Sequence, residues 1–108
     1  MAEFQHATKE TFNELVINSD VPVLVDFWAT WCAPCRKLSI LLDEVAGEFD
    51  EHKIRFVKVN TDENPEIAGE YSVSGLPTVM LFKNGEAQER IVGFVPKSTI
   101  ILGIEKIV

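Results

Sequence analysis

Two cysteines, Cys32 and Cys35, are the only ones in the chain, and just Ala33 and Pro34 lie between them. A pair at this spacing can close a small disulfide ring with little backbone movement, so it can cycle between dithiol and disulfide. The nucleophile in such exchange is the thiolate, of which a free cysteine holds too little near neutrality. Cys32 directly precedes a helix whose first turn accommodates Pro34, so unpaired N–H groups and the positive end of the helix dipole should face its sulfur and favour the anion. Cys32 is therefore expected to attack and to carry the better exposed sulfur. Cys35, one turn on and more enclosed, is expected to resolve the mixed disulfide. A zinc site would need four ligands, yet His6 and His52 stand at no ligand spacing, and only a second subunit could supply more cysteines. A c-type haem needs histidine after the second cysteine, where Arg36 stands. Redox exchange is the leading reading, with no metal and no cofactor beyond the cysteine pair itself.

Asp26 is the second informative residue. It interrupts the apolar run Val23-Leu24-Val25-Asp26-Phe27-Trp28-Ala29, and burial there would raise its pKa and let it pass protons to and from Cys35. The alternative is a carboxylate near a strand end, solvated or bonded to backbone, and the residues alone leave both open. Lys58 is either its charge partner or a solvated edge residue. Trp28, inside the apolar run, reads as core, whereas Trp31 in the cysteine loop is a candidate contact for a partner protein. Gly75-Leu76-Pro77 is ambiguous, because a proline at the first position of a strand needs no special explanation.

These residues need elements to hold them. Consecutive rather than alternating apolar positions from Val23 to Ala29 mark a strand covered on both faces, placed at the sheet centre. Leu38, Leu41, Leu42, Val45, Ala46 and Phe49 then form one helical stripe after Pro34, while Arg36, Lys37, Asp43, Glu44 and Glu48 take the other faces. Ile54 to Asn60 reads as a second strand. Residues 3–6 are a weaker edge strand, and Thr8 is expected to cap a helix bearing Phe12, Leu15 and Val16. Asn64-Pro65 opens a short helix through Tyr71, and Thr78 to Phe82 forms a strand. Asn84-Gly85 turns the chain back antiparallel through Glu89 to Val92. Pro96 begins a last helix carrying Ile100, Ile101, Ile104 and Ile107. A crossover between the strands near residues 24 and 56 makes them parallel, so the expectation is an α/β fold with a mixed sheet flanked by helices. In such sheets functional groups gather where a strand's C-terminal end meets the next helix, which is where Cys32 falls.

At 108 residues the chain is expected to be one domain, 1–108, with a core of its own. Net charge is −7, from 10 basic and 17 acidic residues, and no basic cluster exceeds Arg36-Lys37, which argues against nucleic acid. The longest apolar runs fall far short of the roughly 18 residues of a membrane span. Met1-Ala2-Glu3 leads into polar and acidic residues rather than an apolar leader core, so a reducing, cytoplasmic setting is expected, or an organellar stroma for a chain trimmed of a transit peptide.

The chain resembles the thioredoxin family over nearly its whole length. The matching residues are Val25 to Ala29, Trp31-Cys32 with Pro34-Cys35, Asp43-Glu44, Lys58, Asp62, Pro65, Gly75 with Pro77-Thr78, Phe82 to Gly85, and Gly93. The resemblance implies a thioredoxin fold of about five strands and four helices, and a general protein-disulfide reductase; a monomer is the default expectation. It implies that Cys32 attacks, Cys35 resolves, Asp26 assists proton transfer near Lys58, and Pro77 is cis, leaving the Leu76 backbone free to pair with an extended substrate. Trp31, Ala33, Pro34, Gly75, Leu76, Pro77, Gly93 and Phe94 would form the substrate-binding rim. The implied partners are disulfide-containing target proteins and a thioredoxin reductase, either flavin- and NADPH-dependent or ferredoxin-dependent. Val95 to Thr99 is similar to the m-type members of cyanobacteria and chloroplasts. Two departures stand out: Ala33 replaces the family's usual glycine, between the cysteines where residues tune the potential, and Ile40 replaces a helix-kinking proline, which implies a straighter helix. The competing readings are a thiol oxidase or isomerase of the same fold, which needs a less reducing disulfide, and a redox-independent binding module using the rim around Trp31 and Leu76.

Overall fold

The computed structural model describes residues 3–108, so Met1 and Ala2, part of the start read above for a leader, lie outside the described residues. Strand β1 (Phe4–His6) is followed by a short helix at Asn13–Ile17, then β2 (Val23–Trp28), α1 (Ala33–Gly47) and β3 (Arg55–Asn60). After these come α2 (Pro65–Glu70), β4 (Thr78–Lys83), β5 (Glu86–Val92) and α3 (Lys97–Ile107). The five strands lie in the order β1-β3-β2-β4-β5. β2 is parallel to β3 and antiparallel to β4, with Asp26 opposite Lys58 on one side and Val79 on the other. β1 adds a parallel edge to β3, and β5 an antiparallel edge to β4. The α/β architecture with a mixed sheet and four helices matches the expectation.

Period-2 alternation divides β2 between two cores. Leu24 packs with Leu38, Leu42 and Val45 of α1 and with Ile100 and Ile104 of α3. Val23, Val25 and Phe27 face the other way, among Phe12, Val16, Val57, Val59, Ile67 and Met80. Each of these buried aliphatic and aromatic side chains contributes about 1.5–3 kcal/mol. The same alternation puts Asp26 on the α1 side, two residues along from Leu24. That parity aims the carboxyl at the helix that begins beside the cysteines.

Thr8 opens the first helical turn: its carbonyl accepts the Phe12 N–H at 2.9 Å, and its own N–H donates to the Thr11 hydroxyl at 2.9 Å. The turn leads into the wider helix Asn13–Ile17, where the Asn18 N–H donates to the Asn13 carbonyl at 2.8 Å. One local reading is refined. Asn64 occupies the cap position of α2 without a side-chain cap bond. Its amide instead donates to the Asn60 carbonyl and accepts the Lys9 N–H, each at 3.0 Å, tying α2 to the N-terminal segment. In the hairpin, Asn84 and Gly85 both take left-handed backbone, φ 54° and 79°, as a type I′ turn requires.

A Cβ at Gly85 would lie 2.8 Å from the Ile17 carbonyl oxygen, and its φ is already unfavourable for other residues. Gly85→Ala is expected to lower the unfolding free energy by about 1–3 kcal/mol. Gly69→Ala, whose Cβ meets nothing within 4 Å in α2, should raise it by roughly 0.4–1 kcal/mol. Urea unfolding of the two variants beside the parent protein checks both signs.

Candidate active site

Cys32 is the N-cap of α1, with extended backbone (φ −93°, ψ 104°), and its Sγ accepts the Cys35 N–H at 3.2 Å. Pro34 sits in the first turn, where no donor is lost. The sulfur thus occupies the helix mouth that the sequence assigned to it. Cys32 and Cys35 are joined as a disulfide, with Cα atoms 5.2 Å apart. The expected difference in exposure is not observed: Cys32 is 4% and Cys35 3% accessible. In this oxidised state each sulfur is covered by the other and by Ala29, Trp28 and Leu76. What distinguishes the two is their surroundings, because Cys35 lines an inner cavity and Ala33 and Pro34 beside Cys32 are exposed.

That cavity, about 210 Å³, is lined by Asp26, Trp28, Cys35, Ser39 and Lys58, with His6 and Arg36 completing its wall. The structure therefore brings Asp26 and Cys35 to one space and resolves the alternatives for the carboxyl, which is 1% exposed. Burial pushes its pKa from 3.8 up to about 7; Lys58 opposes this and Asp43 adds to it. Desolvation is the largest of these effects; the Lys58 ammonium donates to the Ser39 hydroxyl at 2.6 Å. Asp26 Oδ1 and Trp28 Nε1 are buried without a hydrogen-bond partner among the described residues. Trp28 is only partly buried, so it is a wall of the site rather than plain core. A larger hollow of about 360 Å³ between Phe4, Glu51, His52 and Arg55 contains none of the predicted site residues.

The outer rim comes from three segments. Trp31 is 68% and Phe94 51% exposed, and the indole N–H of Trp31 donates to Asp62 Oδ2 at 2.9 Å. Leu76 packs against the cysteines, and the Leu76–Pro77 peptide is cis, as the resemblance implied. Gly93 has φ 89° and its N–H donates to the Pro77 carbonyl at 2.8 Å. A Cβ at Gly75 would meet Val92 at an ordinary 3.5 Å. Exposed Val92, in the same rim, was missed by the sequence reading, and so were Ser39, His6 and Asp62 as neighbours of the site. Ser39 had a signal: it stands four residues after Cys35, on the same helix face.

Opening and closing the Cys32–Cys35 bond moves two electrons and two protons, and the buried carboxyl beside Cys35 can hold one of those protons. A mixed sheet carrying such a pair at a helix mouth is the scaffold of a thiol–disulfide oxidoreductase. The thioredoxin family model matches residues 3–106. The chain is 49% identical over 106 residues to "Thioredoxin 1" of Nostoc sp., covering 98% of each chain. It is 50% identical over 105 residues to "Thioredoxin M-type, chloroplastic" of Chlamydomonas reinhardtii, covering 97% of this chain and 74% of that one. With "Thioredoxin" of Porphyra purpurea it shares 53% identity over 93 residues, 86% of each chain. The chain belongs to the thioredoxin family. It acts as a dithiol reductant of disulfides, and the family works with a thioredoxin reductase or a ferredoxin–thioredoxin reductase. Its redox group is the cysteine pair; among the described residues no three metal-ligating side chains stand together, and no helix is long and apolar enough to cross a membrane.

Asp26 binds its proton more tightly when folded (about 7) than when unfolded (3.8). Between these values the unfolded chain holds fewer protons, so this group's contribution makes stability fall as pH rises from about 4 to 7 and level off above. Asp26→Asn removes that loss. The variant should gain stability over the parent progressively through this window, by on the order of 3–4 kcal/mol at pH 8, as read by denaturant unfolding of the oxidised proteins.

Proposed function

We propose that the whole chain works as one monomeric domain in which Cys32 is the attacking thiolate, Cys35 the resolving thiol and Asp26 the proton-transfer group, with Lys58 acting on that carboxyl only through its charge from across the strand register. The Cys32 thiolate attacks one sulfur of a target disulfide, a mixed disulfide forms, and the first target thiolate leaves and takes up a proton. Asp26 accepts the proton of Cys35, whose thiolate attacks Cys32 Sγ and expels the second target thiolate, which takes up the proton that Asp26 then gives back. The target gains two electrons and two protons, and the chain is left with the Cys32–Cys35 disulfide. The observation that carries this reading is the shared cavity of Cys35 and the buried Asp26 carboxyl behind a helix-capping Cys32.

The target segment docks on Trp31, Ala33, Pro34, Gly75, Leu76, Pro77, Gly93 and Phe94. Their support is their placement: around a disulfide that is itself nearly covered, all of them but the buried Pro77 are exposed or half-buried, and the set is partly apolar. The dithiol is regenerated by a thioredoxin reductase. Similarity to cyanobacterial and chloroplastic M-type relatives supports a cyanobacterial cytoplasm or plastid stroma as the setting, with ferredoxin as the electron source.

Reduction of an insulin-type disulfide tests the roles. Cys32→Ser should fall to the buffer background, and retained activity there would end the assignment. Cys35→Ser should still attack but stop at an isolable mixed disulfide. In rapid-mixing experiments Asp26→Asn should slow the resolving step by on the order of a hundredfold while leaving the first attack near the parent rate. Equal rates of both steps in this variant would remove Asp26 from the mechanism.

A further inference from the structure

Lys58 stands directly opposite Asp26 in the register of β2 and β3, and a carboxylate is the strongest acceptor an ammonium can find in a buried cavity. Yet the hydrogen bond that Lys58 Nζ makes goes to Ser39 Oγ at 2.6 Å, on α1. The ammonium also lies over the Phe4 ring, 4.9 Å from its centroid. Asp26 Oδ1, in the same cavity, is left without a partner among the described residues. Two neutral groups from two other elements thus hold the cation, while the charged candidate beside it goes unbonded.

We propose that Ser39 is a positioning residue: its hydroxyl, with the Phe4 ring, holds the Lys58 ammonium off the Asp26 carboxyl and so keeps that carboxyl able to carry a proton. A hydroxyl suits the task because it accepts from the ammonium without adding charge. Its place one turn after Cys35 brings it to the wall of the cavity that Asp26 and Cys35 share.

The other titratable and charged groups facing Asp26 do not substitute for it. From α1 come Cys35, held in the disulfide, Arg36, whose Nη1 donates outward to the Thr30 carbonyl at 2.9 Å, and the exposed Asp43. From β1 comes the exposed His6 at the cavity wall. β4 presents only Val79 opposite Asp26. Lys58 is the one of these cations that sits in register with the carboxyl, and Ser39 sets where it points.

The inference rests on the proposed proton role of Asp26 for its kinetic consequence, whereas the placement itself can be read without catalysis. Oxidised protein labelled with carbon-13 at the aspartate carboxyls is titrated by NMR as the parent and as Ser39→Ala, Ser39→Thr, Lys58→Met and the Ser39→Ala, Lys58→Met double variant. Alanine is the better helix former, so Ser39→Ala does not endanger α1. Freed from the hydroxyl, the ammonium should turn to Asp26, and the carboxyl's midpoint should fall by about one pH unit. Ser39→Thr, which keeps the hydroxyl, should restore the parent midpoint, and Ser39→Ala should have no effect once Lys58 is methionine. A midpoint that stays or rises in Ser39→Ala, or falls equally in the Lys58→Met background, overturns the proposal. The pH profile of the resolving step should move down with the midpoint. A midpoint that falls while that profile stays put would sustain the placement of Ser39 and overturn only the proton role of Asp26.

Discussion

A carboxyl group sealed inside the middle strand of the sheet is the constraint from which the rest of this protein can be understood. Asp26 cannot swing out to water, because β2 is bonded to β3 on one side and β4 on the other, and α1 and α3 cover the face to which the side chain points. Raising its pKa to about 7 corresponds to an energetic cost on the order of 4 kcal/mol when the group is ionised. The fold tolerates this because the same strand buries Val23, Leu24, Val25 and Phe27, each contributing about 1.5–3 kcal/mol. The local loss is smaller than the gain of the strand that contains it.

The carboxyl would mean little without α1 set in one rotation above it. Leu38, Leu42, Val45 and Ala46 are all buried against the sheet, and that stripe fixes which way the first turn faces. Cys35 and Ser39 lie along the inward side as a result, and Cys32 caps the end where the N–H groups are unpaired. One helix therefore supplies the dipole that favours a thiolate, the second sulfur and the hydroxyl that holds Lys58. Ile40, in place of a proline, is 71% exposed and α1 runs unbroken from Ala33 to Gly47, so the substitution leaves the inward residues where the stripe puts them.

The outer rim and the inner cavity beside Cys35 are built from different parts of the chain. Trp31 comes from the loop before α1, Leu76 and Pro77 from the loop before β4, and Gly93 and Phe94 from the segment after β5. The Gly93 N–H to Pro77 carbonyl bond, 2.8 Å, joins the last two. Trp31 is steadied separately by Asp62. The disulfide lies beneath this rim with both cysteines nearly covered.

The amino-acid sequence by itself determined the elements and the chemistry that local spacing encodes. The apolar run of β2, interrupted only by Asp26, announced a central strand, the stripe from Leu38 to Ala46 a helix, Asn84-Gly85 a tight hairpin, and the cysteine pair a reversible disulfide at a helix mouth. It also carried the family, through an ordered set of residues along nearly the whole chain. Only the tertiary structure decided that Asp26 is buried rather than solvated, that both sulfurs are covered in the disulfide, that Trp28 is a cavity wall, and that Lys58 answers to Ser39. The physical reason is that spacing along the chain says which groups share a face of one element, whereas desolvation and hydrogen bonding depend on which faces of different elements meet. The charge state of Asp26 is set by neighbours drawn from α1, β3 and β4 together, and no single stretch of sequence contains them.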